Sequence, residues 1–119
     1  MTKIAIDLDG VLAHYEKWDG IESIGDPLPG AQDLVKGLID SGCEVWIFTT
    51  RMSKAVNSSY SVRELQNNIQ DWLIKHDFPM ETLIWTGHGK MIADFYIDDR
   101  AIGFRGDWKK VLEEMENML

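Results

Sequence analysis

The sequence predicts an α/β fold of three layers, with a mostly parallel sheet between two layers of helices. Short apolar runs without polar alternation are typical of strands that are buried on both faces. Segments with apolar residues at helical spacing separate these runs along the chain. This alternation favours parallel strands joined by right-handed crossovers. The chain of 119 residues is long enough for one core, so we assign all of it to a single domain.

Five strands and an irregular segment are expected. The first strand, at residues 3–8, contains Ile4-Ala5-Ile6, and the second contains Val45-Trp46-Ile47-Phe48. Residues 11–29 carry several glycines and prolines, which break regular structure, so we expect a flap or loop there. The other strands are predicted at residues 82–85 and 93–97, with a weaker fifth at 101–104.

Three amphipathic helices are predicted from spacing and end signals. The first begins at Ala31 and ends before Gly42. The second begins with Ser61-Val62-Arg63-Glu64, which has the form of a capping box, and ends near His76. Asp107 is placed to cap the third. The inner face expected for this last helix consists of Trp108, Val111, Leu112, Met115 and Leu119.

Charge and hydropathy exclude some classes of function. The net charge of −8 disfavours non-specific binding to nucleic acid or to anionic membranes, although a phosphorylated nucleic-acid end stays open as a ligand. No apolar run approaches the roughly 20 residues of a membrane span. Asp7 and Asp9 interrupt the first apolar stretch too early for a signal peptide, so a cytoplasmic protein is expected.

Two acidic pairs follow two of the predicted strands. Asp7 and Asp9 end the first strand, and Asp98-Asp99 follows Phe95-Tyr96-Ile97. Carboxylates at the end of an apolar strand are costly unless a metal or hydrogen bonds hold them. The carboxyl ends of parallel strands meet at one edge, where open α/β folds bind ligands. The sequence therefore predicts a divalent-cation site at this edge.

Two further polar residues lie at or near strand ends. Thr49 follows the second strand, and Lys90 precedes the strand before Asp98-Asp99. A metal and a cation offset phosphate charge, a hydroxyl orients the phosphate oxygens, and a carboxylate attacks phosphorus. This set of groups points to phosphoryl transfer.

At these positions the chain resembles the haloacid dehalogenase-like (HAD) superfamily, a Rossmann-like α/β/α fold. The four HAD motifs are matched in order by Asp7-Leu8-Asp9-Gly10-Val11-Leu12, Thr49, Lys90 and Asp98-Asp99. The resemblance covers essentially the whole chain. The segment from Ile97 to Ile102, with Gly106-Asp107-Trp108 after it, is similar to a group of small HAD proteins.

The resemblance implies a role for each acidic residue. Asp7 is the expected nucleophile and forms an aspartyl-phosphate. Asp9 is expected to protonate the leaving oxygen and then to deprotonate the attacking water. The carboxylates of Asp7 and Asp98, with the backbone carbonyl of Asp9, are expected to hold Mg²⁺. Asp99 is expected to support the metal, and its alternative role is that of a turn carboxylate.

The resemblance also implies a phosphate-binding set. Thr49 and Lys90 are expected to hold the phosphoryl group, and Gly10 lets the backbone turn sharply beside it. Thr50 stays open as the alternative hydroxyl. Many related proteins have proline after this lysine, whereas this chain has Met91, so nothing in the sequence fixes the backbone there.

Two arginines beside the motifs have no assigned role. Arg51 and Arg100 flank the predicted site in sequence, and each is expected either to contact the substrate or to form a surface salt bridge.

The intervals between the motifs leave no room for a separate cap domain. The segment 11–29 is long enough only for a small flap, which leaves the site open. Capless HAD proteins tend to use a large substrate or a neighbouring subunit as the lid, so a homo-oligomer stays open as an expectation.

The expected function is that of a Mg²⁺-dependent phosphatase acting on a small phosphorylated substrate. One alternative is a nucleotidase or polynucleotide-end phosphatase. Another is a HAD-fold binding protein with little catalysis.

Overall fold

Four strands and three helices follow one another in the computed structural model, which describes residues 1–54 and 57–119. A short 3-10 turn, Thr50–Met52, follows the second strand. In chain order the elements are β1 (Lys3–Ile6), α1 (Ala31–Asp40), β2 (Glu44–Ile47), α2 (Val62–Lys75), β3 (Leu83–Ile84), β4 (Phe95–Ile97) and α3 (Trp108–Met118).

The four strands form one parallel sheet in the order β3-β2-β1-β4. The prediction of an α/β fold with a parallel sheet is therefore confirmed. β1 pairs with β2 on one side and with β4 on the other, and its last residue, Ile6, lies opposite both Ile47 and Ile97. The strand order changes direction at β1, which is where ligands bind in open α/β sheets.

The core lies on one face of the sheet, beneath α1 and α2. Alternate strand residues point to the same face. On this face lie the strand residues Ile6, Val45, Ile47 and Ile84, which form one buried cluster with Val35 of α1 and Ile69, Trp72 and Leu73 of α2. In β1 the residues Ile4, Ala5 and Ile6 are all buried, in line with its lack of polar alternation, whereas in β2 only Val45 and Ile47 are buried.

The opposite face of the sheet is less covered. The register brings Trp46, Leu83 and Tyr96 to this face, and Leu83 and Tyr96 are exposed. α3 is described throughout, and none of its residues is buried. The expected inner face is thus solvent-accessible: Trp108 is 69% and Leu112 60% exposed, and Met115 and Leu119 are also exposed. The prediction that this face packs inward is wrong.

The fifth predicted strand, at residues 101–104, is also absent from the described chain. Ala101, Gly103 and Phe104 are exposed, and no hydrogen-bonded partner strand accompanies them. Glycine weakens strands and an isolated edge segment gains little packing, which explains the difference.

Helix ends follow the sequence signals. At the start of α2, Ser61 Oγ accepts a hydrogen bond from the Glu64 amide, and the Glu64 side chain accepts one from the Ser61 amide. The Asp107 carboxylate caps α3 by accepting from Lys109 and Lys110. Gly42, just after α1, has φ 90°, a conformation that favours glycine.

Residues 11–29 form an irregular flap, as predicted. Ala13 makes isolated bridges with Asp9 and Pro27, and Leu12, Ala13 and Ile21 are buried. The structure describes this whole segment, and it contains neither a helix nor an extended strand.

None of the helices in the described part of the chain combines the length and the apolar character that a membrane span requires.

Candidate active site

A cavity of about 510 Å³ opens at the carboxyl edge of the sheet. Its lining comes from the segments that follow β1, β2 and β4, together with the flap and the loop after β3. Asp7, Asp9, Thr49 and Asp98 all line it. The sheet topology therefore brings together residues that are up to 91 positions apart in the chain.

Asp7 lies at the end of β1 and is half-buried. Its backbone amide donates to the Ile97 carbonyl (2.9 Å), so that Asp7 stands beside the end of β4. Its Oδ1 accepts a hydrogen bond from the Leu8 amide (2.8 Å). The pKa of Asp7 is raised from 3.8 to about 7, and burial is the largest cause. The charges of Asp98, Asp99 and Asp9 contribute to this rise, and the Leu8 hydrogen bond opposes it.

Three carboxylates converge at this edge. Oxygen atoms of Asp7, Asp98 and Asp99 all lie within 4.8 Å of one another. Asp98 is fixed because its Oδ1 accepts a hydrogen bond from the Arg100 amide (2.7 Å). Three hard oxygen donors at this spacing suit a small divalent cation, and mutual repulsion raises the pKa of Asp7 when no cation is bound. The donor set therefore fits Mg²⁺.

Gly10 makes room for one of these carboxylates. Its φ is 87°, and a Cβ at this position would collide with Oδ2 of Asp99. The turn after β1 thus needs glycine for its backbone conformation and for the approach of Asp99.

Asp9 is bound by a buried arginine. Nε of Arg51 donates to Oδ2 of Asp9 (2.7 Å), and Nη2 of Arg51 donates to Oδ1 (2.9 Å). Both oxygens of the predicted general acid–base are engaged in this bidentate ion pair. The surface salt bridge that the sequence left open for Arg51 is wrong, because its ion pair with Asp9 is buried.

Thr49 and Thr50 both line the cavity, but in different ways. Thr49 is 8% exposed, and its Oγ1 accepts a hydrogen bond from the Arg51 amide (3.2 Å), which leaves its hydroxyl proton free to donate. Thr50 is exposed. The fixed hydroxyl of Thr49 is the better oriented donor.

Lys90, in contrast to Asp7, Asp9, Thr49 and Asp98, does not line the cavity. Its Nζ lies 4.6 Å from the centre of the Tyr96 ring, which belongs to the less covered face of the sheet. The next residue, Met91, is buried, and its carbonyl accepts a hydrogen bond from the Tyr96 hydroxyl. The residues just before Lys90, Gly87 to Gly89, do line the cavity.

Sequence reasoning expected Tyr15 and Trp18 as apolar contacts of the flap, but it missed Phe48 and Trp85 as part of the lining. Tyr15, Trp18, Phe48 and Trp85 line the cavity, and Lys54 and Arg100 add positive charge. Trp85 is held edge-on to Trp46, and its ring lies so close to Gly87 that a side chain there would collide with it. The clustering of aromatic residues next to the motifs, at positions 15, 18, 48 and 85, was the available signal.

Comparisons with known proteins show the fold alone. No protein-family model and no curated protein matches the chain. A solved conserved protein from Bacteroides thetaiotaomicron is 21% identical, with a TM-score of 0.60 over 98% of this chain and 91% of that one. A crystal structure of a target protein from Vibrio cholerae is 24% identical, with a TM-score of 0.54 over the whole of both chains.

Proposed function

We propose that this protein is a Mg²⁺-dependent phosphatase of the capless HAD type, which hydrolyses a phosphomonoester through an aspartyl-phosphate on Asp7. The observation that carries the proposal is the placement of Asp7 in the cavity, with Asp98 and Asp99 oxygens within 4.8 Å. The finer fold assignment, a three-layer HAD arrangement, belongs to the same proposal.

The proposed reaction uses two carboxylates in two steps. An oxygen of Asp7 attacks phosphorus, and the bond from phosphorus to the ester oxygen breaks. Asp9 enters this step protonated on one oxygen, released from its Arg51 hydrogen bond, and gives that proton to the ester oxygen. Asp9 then takes a proton from water as the water oxygen attacks phosphorus. The bond from phosphorus to the Asp7 oxygen breaks, which releases phosphate and restores Asp7.

The other groups of the site bind and neutralise the phosphoryl group. Asp7 and Asp98, with the Asp9 carbonyl, would hold Mg²⁺, with Asp99 in support, and the bound ion would supply charge neutralisation for the phosphate oxygens. Thr49 donates its hydroxyl proton to a phosphate oxygen. Lys90 follows a glycine-containing loop that lines the cavity, and it serves this phosphate only after its ammonium leaves the Tyr96 ring.

The test is release of phosphate from an aryl phosphate with added Mg²⁺. We expect activity in the wild type, none above background in Asp7→Asn, and wild-type activity in Asp71→Asn, which alters an exposed carboxylate of α2 outside the cavity lining. We also expect the wild type to lose its activity when a chelator removes Mg²⁺. No turnover by the metal-loaded protein on a broad panel of phosphoesters would refute the proposal and favour a binding protein.

A second candidate, a nucleotidase or polynucleotide-end phosphatase, is favoured by the aromatic lining. Flat aromatic rings stack on nucleobases, and Trp18 and Trp85 line the cavity that holds Asp7. We expect nucleoside monophosphates to exceed sugar phosphates in kcat/KM at least tenfold if this candidate holds. Trp18→Ala should remove that preference, whereas Trp108→Ala, at an exposed position outside the cavity lining, should keep it.

A further inference from the structure

Arg51 has a hydrogen-bonding pattern that is unusual for a residue in a loop. It lies in the 3-10 turn after β2 and is only 2% exposed. Besides the two bonds to Asp9, Nη1 donates to the carbonyls of Gly20 (3.2 Å) and Ile21 (3.0 Å), and Nη2 donates to that of Ser23 (3.1 Å). All five guanidinium N–H groups are thereby used.

These bonds join two parts of the cavity that are distant in sequence. Two of the five hold Asp9, which follows β1, and three hold carbonyls of the flap. The indole ring of Trp18, which lines the cavity, lies 4.9 Å from Cζ of Arg51, within the range of a cation–π contact. The Arg51 side chain therefore holds the flap residues 18–23 through hydrogen bonds and a cation–π contact.

The backbone of Arg51 also reaches the phosphate-binding side of the site. Its amide donates to Oγ1 of Thr49, and its carbonyl accepts from the side chain of Asn57. One residue thus contacts both Asp9 and Thr49. Asn68 of α2 donates to the same Ile21 carbonyl as Arg51, so the flap is tied to α2 as well.

We infer that Arg51 is a positioning residue, whose guanidinium orients the carboxylate of Asp9 and clamps residues 18–23 as a closed wall of the cavity. The catalytic half of this inference rests on the proposed function, whereas the clamp does not. Lysine cannot replace arginine here, because one ammonium group cannot form the planar fork to Asp9 and also reach three carbonyls.

The experiment compares Arg51→Lys with Arg63→Lys, the same change at an exposed position of α2. Steady-state kinetics on an aryl phosphate and hydrogen–deuterium exchange are measured on both. For Arg51→Lys we expect kcat to fall at least tenfold, KM to change less than threefold, and exchange in residues 18–23 to rise at least tenfold. Exchange in β1 and β2 should stay at the wild-type rate, and Arg63→Lys should match the wild type throughout.

Each readout can overturn one half of the inference. Wild-type exchange in residues 18–23 of Arg51→Lys would refute the clamp, and wild-type kcat would refute the positioning role. A wild-type protein without phosphatase activity refutes the proposed function instead, and the exchange measurement still decides on the clamp.

A measurement on the wild type covers the case in which Arg51→Lys does not fold. Because the five guanidinium protons are buried and hydrogen-bonded, we expect resolved, slowly exchanging NMR signals for Arg51. A single averaged signal from a rotating side chain would refute the clamp.

Discussion

At the residue scale, the candidate site depends on pairs of groups in which one residue sets the position of the other. Asp99 approaches the backbone of Gly10 because glycine has no side chain there. Asp9 is held by Arg51 through two hydrogen bonds. In both pairs a carboxylate of the motif is positioned by a second residue. The spacing of residues along the sequence does not reveal that this second residue positions it.

Gly10→Ala tests the first pair. The substitution places a Cβ at φ 87° and against Asp99, so we expect the free energy of unfolding to fall by about 1–2 kcal/mol. We also expect weaker Mg²⁺ binding, because Asp99 must move away. Gly37→Ala is the matched control, since this glycine lies in α1 with open space around it, and it should be neutral or stabilising by about 0.5–1 kcal/mol. Denaturant unfolding and calorimetric titration measure both effects, and equal behaviour of the two variants would contradict the expectation.

The raised pKa of Asp7 makes stability depend on pH in the presence of a chelator. Between pH 3.8 and about 7 the unfolded chain loses the Asp7 proton while the folded protein keeps it, so stability falls as pH rises through this window. Asp7→Asn has no proton to lose there. We expect it to gain stability relative to the wild type from pH 4 to pH 8, by about 1–2 kcal/mol after allowance for solvent screening of a half-buried group. The free energy of unfolding of both proteins is measured by denaturant unfolding across this pH range. A difference between them that stays constant would argue against the raised pKa of Asp7.

Lys90 tests whether the loop after β3 rearranges. We expect Lys90→Met to lower kcat/KM by about 100-fold, because the substitution removes the positive charge that would neutralise the transferring phosphoryl group. Lys75→Met, at an exposed position near the end of α2, should leave kcat/KM unchanged. Full activity in Lys90→Met would mean that the Lys90 ammonium of the wild type stays on Tyr96 during the reaction. Lys54 or Arg100 of the cavity lining would then supply the positive charge.

At the element scale, the helices differ in how much they contribute to the core. α2 carries Trp72, which is 6% exposed, stacks on Phe78 at 5.1 Å, and donates from Nε1 to the Gly25 carbonyl of the flap. α3 carries an apolar stripe of similar composition that buries none of its residues. An amphipathic pattern therefore predicts a helix and its apolar side, but it does not predict which surface, if any, packs against that side.

Two tryptophan substitutions measure this difference. We expect Trp72→Ala to lower the free energy of unfolding by about 3–5 kcal/mol, because it removes a buried ring and leaves the Gly25 carbonyl unpaired. Trp108→Ala should cost less than about 1 kcal/mol, since that ring is 69% exposed and its neighbouring ring, that of Phe104, is exposed as well. A large loss in Trp108→Ala would show that α3 packs against a partner surface in solution.

At the scale of the whole molecule, three carboxylates meet at one edge of the sheet in a chain of net charge −8. A divalent cation that binds only the folded state should stabilise it by mass action. At a hundred times its dissociation constant, Mg²⁺ should add about 2.7 kcal/mol to the free energy of unfolding. Asp98→Asn should lose most of this gain and Asp71→Asn none of it. Thermal unfolding over a Mg²⁺ series checks the effect, and equal stabilisation of all three proteins would point to a non-specific salt effect.

The sequence by itself determined the class of fold, the helices and the sheet edge at which the acidic residues meet. Apolar runs without alternation, a capping box at Ser61 and the Asp107 cap are local signals, and local chemistry decides them. The meeting of Asp7 with Asp98 follows from parallel strands that end together.

Only the tertiary structure decided what each of these residues contacts. The bidentate hold of Arg51 on Asp9, the position of Lys90 over Tyr96, the exposed stripe of α3 and the missing fifth strand all depend on packing between segments far apart in the chain. Such contacts arise from three-dimensional geometry. The spacing of residues along a sequence carries no direct information about that geometry.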